Sequence, residues 1–211
     1  MIRIELNKHI MEFDSGKDFF SPSKIDSGTL AMLSKVEFQA NDKVLDLGCG
    51  YGVVGIVAGK IIGGSKVVMS DISRDAIYWA KYNAAKNNID EIRIIQSNGY
   101  ENITDKDFTL ILSNPPYHSD FSIAKRFIEE GFKRIALGGR MIMVTKRKEW
   151  YKNKFISTFG GVIIHEIDGY YVFVAEKRGF FNSKKSDKNI GNMSRKLIRK
   201  YARKKSLGIC K

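Results

Sequence analysis

A short apolar run that ends in alternating glycines constrains the fold of this chain more than any other feature. Residues 44–47, Val-Leu-Asp-Leu, have the length and composition of a strand buried on both faces. Gly48, Gly50 and Gly52 follow directly and permit a tight turn, and residues 53–62 then have the pattern of a helix. A strand that turns through glycines into a helix is typical of the first unit of a doubly wound parallel sheet.

The remaining chain repeats this alternation of strand and helix. Further strands are predicted at 66–70, 92–96, 108–113 and 139–145, and helices at 75–86, 123–135 and 150–159. Segments 162–167 and 170–175 predict a closing hairpin that turns at Asp168-Gly169. We therefore predict an α/β fold: a doubly wound, mostly parallel seven-stranded sheet with an antiparallel C-terminal hairpin, which places one antiparallel strand at the edge.

Composition excludes several classes of protein. The 211 residues are 43% hydrophobic and 28% charged, which favours a single globular domain. No run of 18 apolar residues is present and the first residues alternate like a strand, so neither a membrane span nor a signal peptide is expected, and we interpret the protein as cytoplasmic. Cys49, Cys210 and three scattered histidines form no metal-ligand spacing, so no metal is expected.

Two acids at predicted strand ends indicate the kind of ligand. Asp71 ends the second strand, 25 residues after Asp46, and a carboxylate there can accept hydrogen bonds from both ribose hydroxyls of a nucleoside. Residues 50–55 formally match the dinucleotide pattern G-x-G-x-x-G. Asp46, however, precedes the glycines, where it would repel a pyrophosphate and attract an ammonium group. S-adenosylmethionine carries both a nucleoside and an ammonium group, so a methyltransferase is favoured over a dehydrogenase.

A rigid polar motif, Asn114-Pro115-Pro116-Tyr117, follows the fourth predicted strand of the sheet. The two prolines fix the backbone and leave carbonyl groups as acceptors. The Asn114 side-chain oxygen and the Pro115 carbonyl can accept both hydrogens of a planar NH2 group, and Tyr117 offers a ring on which a flipped base can stack. We predict that these four residues form the catalytic site; the alternative is that Pro-Pro ends the strand and Tyr117 packs in the core.

These motifs together resemble the class I S-adenosylmethionine-dependent methyltransferases that act on amino groups. The resemblance rests on D-x-G-x-G-x-G at Asp46–Gly52, the acid Asp71 and N-P-P-Y at 114–117. It implies that Asp46, Gly48 and Gly50 line the methionine part of the cofactor and that Asp71 holds the ribose, with Ile72 beside the adenine. Asn98 stands where the family often has an Asp that contacts the adenine amine. Further cofactor contacts are implied at Thr29, Cys49, Gly99 and Asn114.

One subgroup is matched by additional segments. Residues 20–29, Phe-Ser-Pro-Ser-Lys-Ile-Asp-Ser-Gly-Thr, resemble the segment that closes over the cofactor in the small ribosomal RNA guanine-N2 methyltransferases. The closing hairpin is also similar to theirs. The resemblance implies guanine N2 of ribosomal RNA as the target. Adenine N6 of tRNA and the glutamine amide of a release factor remain open, as does an RNA-binding module that keeps the cofactor site without catalysis.

The charge is concentrated at the C-terminal end. Residues 178–211 contain twelve Lys and Arg and one Asp, and so carry +11 of the net +13. Two rows of cations recur there every four residues: Arg195, Arg199 and Arg203, and Lys196, Lys200 and Lys204. We expect the tail, residues 182–211, to contact RNA phosphates; a solvated tail without a partner and a membrane-surface contact are the alternatives.

We accordingly predict three segments along the chain. Residues 1–40 form an N-terminal hairpin, from strands at 2–7 and 10–14, and the cofactor-closing segment, in which Asp26 or Ser27 caps a helix. Residues 41–177 form the methyltransferase core. Residues 178–211 form the basic tail, flexible or helical.

Overall fold

The predicted succession of strands and helices is present in the computed structural model, which describes residues 1–6, 9–16, 24–116 and 121–179. Residues Met1–Gly179 form one compact unit. In chain order the elements are β1 (Ile2–Leu6), β2 (His9–Phe13), α1 (Ser27–Leu33), β3 (Val44–Leu47), α2 (Val53–Ile62), β4 (Val67–Asp71), α3 (Arg74–Lys86), β5 (Arg93–Gln96), β6 (Phe108–Ser113), α4 (Phe121–Arg134), β7 (Ile135–Thr145), α5 (Lys148–Phe159), β8 (Ile163–Ile167) and β9 (Tyr170–Glu176).

The main sheet of the described residues has seven strands in the order β5-β4-β3-β6-β7-β9-β8. Neighbouring strands from β5 to β7 pair in parallel, whereas β9 is antiparallel to both β7 and β8. The predicted fold class is therefore confirmed, but the antiparallel strand is not at the edge. The more apolar strand takes the inner position: β9 reads Tyr-Tyr-Val-Phe-Val-Ala-Glu, whereas β8 contains His165 and Glu166. As a result Val172 and Phe173 of β9 are fully buried, and Ile163 of the edge strand β8 is 58% exposed.

Helices cover both faces of the sheet, as the alternation predicted. Successive residues of β3 belong to different hydrophobic clusters, Val44 to one and Leu45 to the other. The first cluster contains residues of α1, α2 and α3, and the second contains residues of α4 and α5. Because every central strand contributes fully buried side chains to both clusters, the carboxyl ends of β3, β4 and β6 are held in fixed positions at one edge of the sheet.

The predicted N-terminal hairpin forms and docks on α3 through two buried amides. β1 and β2 pair antiparallel, and the side chains of Asn83 and Asn87 each exchange two hydrogen bonds with the β2 segment, at the backbones of Asp14 and Glu12. Asn83 also donates to the Tyr51 carbonyl at 2.8 Å. The hairpin is thereby fixed next to the glycine loop between β3 and α2.

Some predicted features lie outside the described residues. They are the Asn7-Lys8 turn, residues 20–23 of the cofactor-closing segment, Tyr117 and the basic tail from residue 180 onward. Among the described residues, no helix is long and apolar enough to cross a membrane.

Candidate functional site

The glycine loop connects β3 to α2 and is hydrogen-bonded to the carboxyl end of β4. The backbone N–H groups of Gly48 and Cys49 donate to the Ser70 carbonyl at 2.8 and 2.9 Å. Gly50 has a φ of +55°, and a Cβ there would meet no atom within 4 Å, so its backbone borders open space. Gly52 has a φ of +98°, and a Cβ there would lie 2.9 Å from the Met69 side chain. The loop therefore packs on the sheet at Gly52 and presents its backbone outward at Gly50.

Asp46 is the buried acid of the site. Its side chain is 2% exposed, and Oδ2 accepts a hydrogen bond from the Gly55 N–H at 2.8 Å. Burial raises the pKa of Asp46 from 3.8 to about 7; the Gly55 hydrogen bond opposes this rise and the nearby Asp71 charge adds to it. A carboxylate held away from water gains most from a cationic partner, so the surroundings of Asp46 suit the ammonium group that the sequence predicted there.

Asp71 closes the loop from the end of β4. Its Oδ2 accepts from the Gly50 N–H and its Oδ1 from the Ser73 N–H, both at 2.9 Å. Each carboxylate oxygen can accept a second hydrogen bond, so both remain able to receive ribose hydroxyls. The next residue, Ile72, is 63% exposed and offers an apolar surface beside the acid. This arrangement fits the predicted nucleoside contacts.

Asn98 follows β5, as predicted, but its side chain is engaged by other residues. Its Oδ1 accepts from an Arg126 guanidinium nitrogen, and its Nδ2 donates to Glu101 Oε1 at 2.8 Å. Arg126 also approaches Gly99, where a Cβ would lie 3.2 Å from the guanidinium. A contact between the Asn98 oxygen and adenine stays a prediction, and it would have to share that oxygen with Arg126.

The Asn114 side chain is oriented by the start of α1. Its Nδ2 donates to Asp26 Oδ2 at 2.8 Å and to Thr29 Oγ1 at 3.0 Å. A carboxylate accepts hydrogen bonds and cannot donate them, so the amide nitrogen must face Asp26 and the amide oxygen must face the other way. Asp26 Oδ2 also accepts from the Thr29 N–H at 3.0 Å and so caps α1. The segment predicted to close over the cofactor thus contacts the predicted catalytic motif.

The Asn114 loop lies next to the glycine loop. Asp46 of β3 pairs with Leu112 of β6, so Gly48 and Asn114 leave their strands at corresponding positions. The buried Ser113 hydroxyl donates to the Leu47 carbonyl at 2.8 Å and ties the two strand ends together. Pro115 is buried and Pro116 is exposed.

The structure thus brings together most of the residues that the sequence predicted as a site. Asp46, the glycine loop, Asp71, Asn114 and Thr29 lie at one edge of the sheet. Sequence reasoning placed Asp26 in the cofactor-closing segment and at a helix cap but not among the site residues. It missed Arg126, for which no local pattern exists. Contacts of the predicted site residues with a cofactor or substrate stay predictions. Among the described residues, no three side chains converge as metal ligands.

Comparison with known families identifies this architecture. A family model described as the methyltransferase small domain matches residues 11–174. This chain belongs to that family. The fold is accordingly the Rossmann-like methyltransferase fold, and the cofactor of such enzymes is S-adenosylmethionine.

Relatives of this methyltransferase are known from sequence and from structure. It is 33% identical over 163 residues to a Serratia proteamaculans protein named ribosomal RNA small subunit methyltransferase C, an alignment that covers 75% of this chain and 46% of that protein. A Bacillus subtilis protein named YbxB is 26% identical over 171 residues, which are 78% of this chain and 85% of that protein. The chain therefore spans about half the length of the Serratia relative.

Solved structures share the fold. A Thermus thermophilus 16S rRNA methyltransferase that acts on guanine N2, in complex with AdoMet and guanosine, superposes with a TM-score of 0.71 at 22% identity, over 83% of this chain and 50% of that one. A Pyrococcus furiosus methyltransferase superposes with a TM-score of 0.66 at 18% identity, over 81% and 90% of the two chains.

Proposed function

We propose that this methyltransferase transfers a methyl group from S-adenosylmethionine to the exocyclic amine of an RNA base, guanine N2 of ribosomal RNA, in the cytoplasm. The observation that carries the proposal is the fixed orientation of the Asn114 amide, whose oxygen faces away from Asp26 and can accept from an NH2 group. The name of the Serratia relative and the guanosine complex of the Thermus enzyme support ribosomal RNA and guanine as the target.

The cofactor is assigned to the edge formed by β3, β4 and β5. Asp46 holds the ammonium group of its methionine part, and the backbone of Gly48, Cys49 and Gly50 lines that part. Asp71 binds the ribose, and Ile72 lies against the adenine. Three further contacts complete the assignment: Thr29, Asn98 and Gly99.

Transfer at this site is chiefly a matter of positioning. S-adenosylmethionine supplies an activated methyl group on a cationic sulfur. The Asn114 oxygen and the Pro115 carbonyl accept the two amine hydrogens and direct the nitrogen lone pair along the line of attack. The sulfur would keep the electrons of its bond to the methyl group and leave as the neutral thioether of S-adenosylhomocysteine, and the methylated amine would release one proton to solvent. Asp26 and Thr29 keep the Asn114 amide in the orientation that accepts.

The test compares substrates that carry a planar NH2 group. The purified protein is incubated with labelled cofactor and, in parallel, with ribosomal RNA, small ribosomal subunits, tRNA and release factor. We expect label in the ribosomal samples and N2-methylguanosine in their nucleoside digest by mass spectrometry. In a deletion strain the same nucleoside should be lost at one position. Label in N6-methyladenosine of tRNA, or in release-factor glutamine, would assign the enzyme to the other substrate.

The basic tail is proposed to add affinity for RNA through phosphate contacts that do not depend on the RNA sequence. Deletion of residues 182–211 removes eleven Lys and Arg and one Asp. We expect weaker RNA binding and a smaller dependence of log K on log salt, by roughly 0.7–0.9 for each lost phosphate contact, with unchanged cofactor affinity. Filter binding of RNA at several salt concentrations and calorimetry of the cofactor measure these effects. An unchanged RNA affinity would mean that the tail does not contact RNA.

A further inference from the structure

A basic turn, Lys146-Arg147-Lys148, lies beside the Asn114 loop. β6 and β7 are parallel and Ser113 pairs with Met143, so Pro115 and Thr145 follow at corresponding positions. The basic turn starts directly after Thr145. Because β7 lies on the opposite side of β6 from β3, the turn borders Asn114 on the side away from the glycine loop.

Each cation of the basic turn lies over an aromatic ring. Contacts of this kind restrict the side chains, which lowers the entropy lost when an anion binds. The distances to the ring centroids are 4.8 Å from Lys146 Nζ to Tyr170, 4.9 Å from Arg147 Cζ to Phe121 and 4.9 Å from Lys148 Nζ to Tyr171. Lys146 and Arg147 nevertheless stay exposed.

An aromatic pair adjoins the basic turn. The rings of Phe121 and Trp150 stack with centroids 4.4 Å apart and planes 14° from parallel, and both side chains are partly exposed. Phe121 begins α4, within seven residues of Asn114 in the chain. Aromatic faces beside cations are the features with which proteins bind single-stranded nucleic acid.

Two ion pairs lie at and just after the turn in the part of the chain that the structure describes. Lys148 Nζ lies 3.8 Å from Glu166, and Glu149 lies 3.8 Å from Lys152. Both pairs are well exposed, and exposed pairs of this kind are weak. Lys146 and Arg147 are both exposed and add positive charge beside Asn114.

We infer that the basic turn and the Phe121–Trp150 pair bind the RNA strand next to the target nucleotide. Lys146 and Arg147 contact phosphates that flank the base held at Asn114, and the aromatic pair receives a neighbouring base. This inference rests on the proposed RNA methyltransferase function. It differs from the proposal for the tail, because this surface adjoins the site and so aligns the strand for transfer.

The test uses a double variant, Lys146→Gln with Arg147→Gln, in the full-length protein. Its matched control is Lys81→Gln with Lys106→Gln, which removes two exposed cations, one on α3 and one at the opposite end of β6. We expect the KM for RNA to rise roughly tenfold and the salt slope of RNA binding to fall by about 1–2 in the test variant alone. Affinity for S-adenosylmethionine should be equal in all proteins.

A second readout does not depend on activity. In a Trp79→Phe protein, Trp150 is the remaining tryptophan, and its fluorescence should be quenched when single-stranded RNA is added. If the unmodified protein methylates RNA but the test variant matches its control and Trp150 is not quenched, the basic turn is not the binding surface. If the unmodified protein methylates no RNA at all, the proposed function itself is wrong.

Discussion

Asn114→Ala is expected to lower kcat by at least about a hundredfold and to leave affinity for S-adenosylmethionine within a few-fold of its original value. The variant removes the oxygen that is proposed to accept from the target amine, and a misplaced nucleophile can cost about two orders of magnitude. Single-turnover methyl transfer to RNA measures the chemical step, and calorimetry measures cofactor binding. Near-normal turnover would refute the role assigned to Asn114.

A charge exchange tests the orientation of Asn114 more sharply. Asn114→Asp places a carboxylate against the Asp26 carboxylate, because the present Nδ2 to Oδ2 distance is 2.8 Å. Repulsion should turn the new side chain away and abolish transfer. Adding Asp26→Asn removes the repulsion between the two carboxylates and should restore activity. The single Asp26→Asn variant is the control, since its amide oxygen can still accept from Asn114 and cap α1.

The outcome of this exchange separates positioning from folding. All variants must unfold at similar temperatures, because Asp26 also caps α1 and loss of a cap costs about 1 kcal/mol. Rescue of kcat by the second substitution would place the effect in the contact between residues 26 and 114. Full activity of Asn114→Asp alone would mean that Asp26 does not orient the target-binding side chain.

The features that the sequence predicted correctly are local ones. The glycine loop after β3, the strand ends that carry Asp46 and Asp71, and the turn at Asp168-Gly169 each follow from a pattern within a few residues. Asp168 and Gly169 have φ values of +48° and +76°, as the two-residue hairpin requires.

The features that the sequence did not predict depend on distant partners. Asp26 and Asn114 are 88 residues apart, and Arg126 reaches Asn98 across 28 residues. The insertion of β9 between β7 and β8 follows from the greater apolar content of β9, which neither segment reveals by itself. In the sequence, Asn83 likewise looks like an ordinary polar residue of α3. In the structure it is fully buried and holds the N-terminal hairpin. Local sequence patterns therefore predicted the residues proposed to bind the cofactor more fully than the contacts around Asn114.

The second prediction with a large effect is that Asp46 controls how the affinity for S-adenosylmethionine depends on pH. Burial raises the pKa of Asp46 to about 7, and the ionised form is the one that attracts an ammonium group. Affinity for S-adenosylmethionine should therefore rise several-fold from pH 6 to pH 7.5. Above about pH 8 it should fall again, as the amino group of the ligand loses its proton. Asp46→Asn is isosteric and can still accept from Gly55; it should bind the cofactor about a hundredfold more weakly and lack the rising limb.

The same acid predicts an opposite trend for the stability of the unliganded protein. The folded state binds the Asp46 proton more tightly than the unfolded chain, whose pKa is near 3.8. This contribution is complete below pH 3.8 and is lost as pH rises through about 7. Relative to Asp46→Asn, the unmodified protein should lose roughly 2 to 3 kcal/mol of unfolding free energy between pH 5 and pH 8. Urea unfolding of both proteins at the two pH values measures the difference. Because other titrating groups are shared, a constant difference between the two proteins would mean that Asp46 is already ionised at pH 5. The rising limb of cofactor affinity would then need another source.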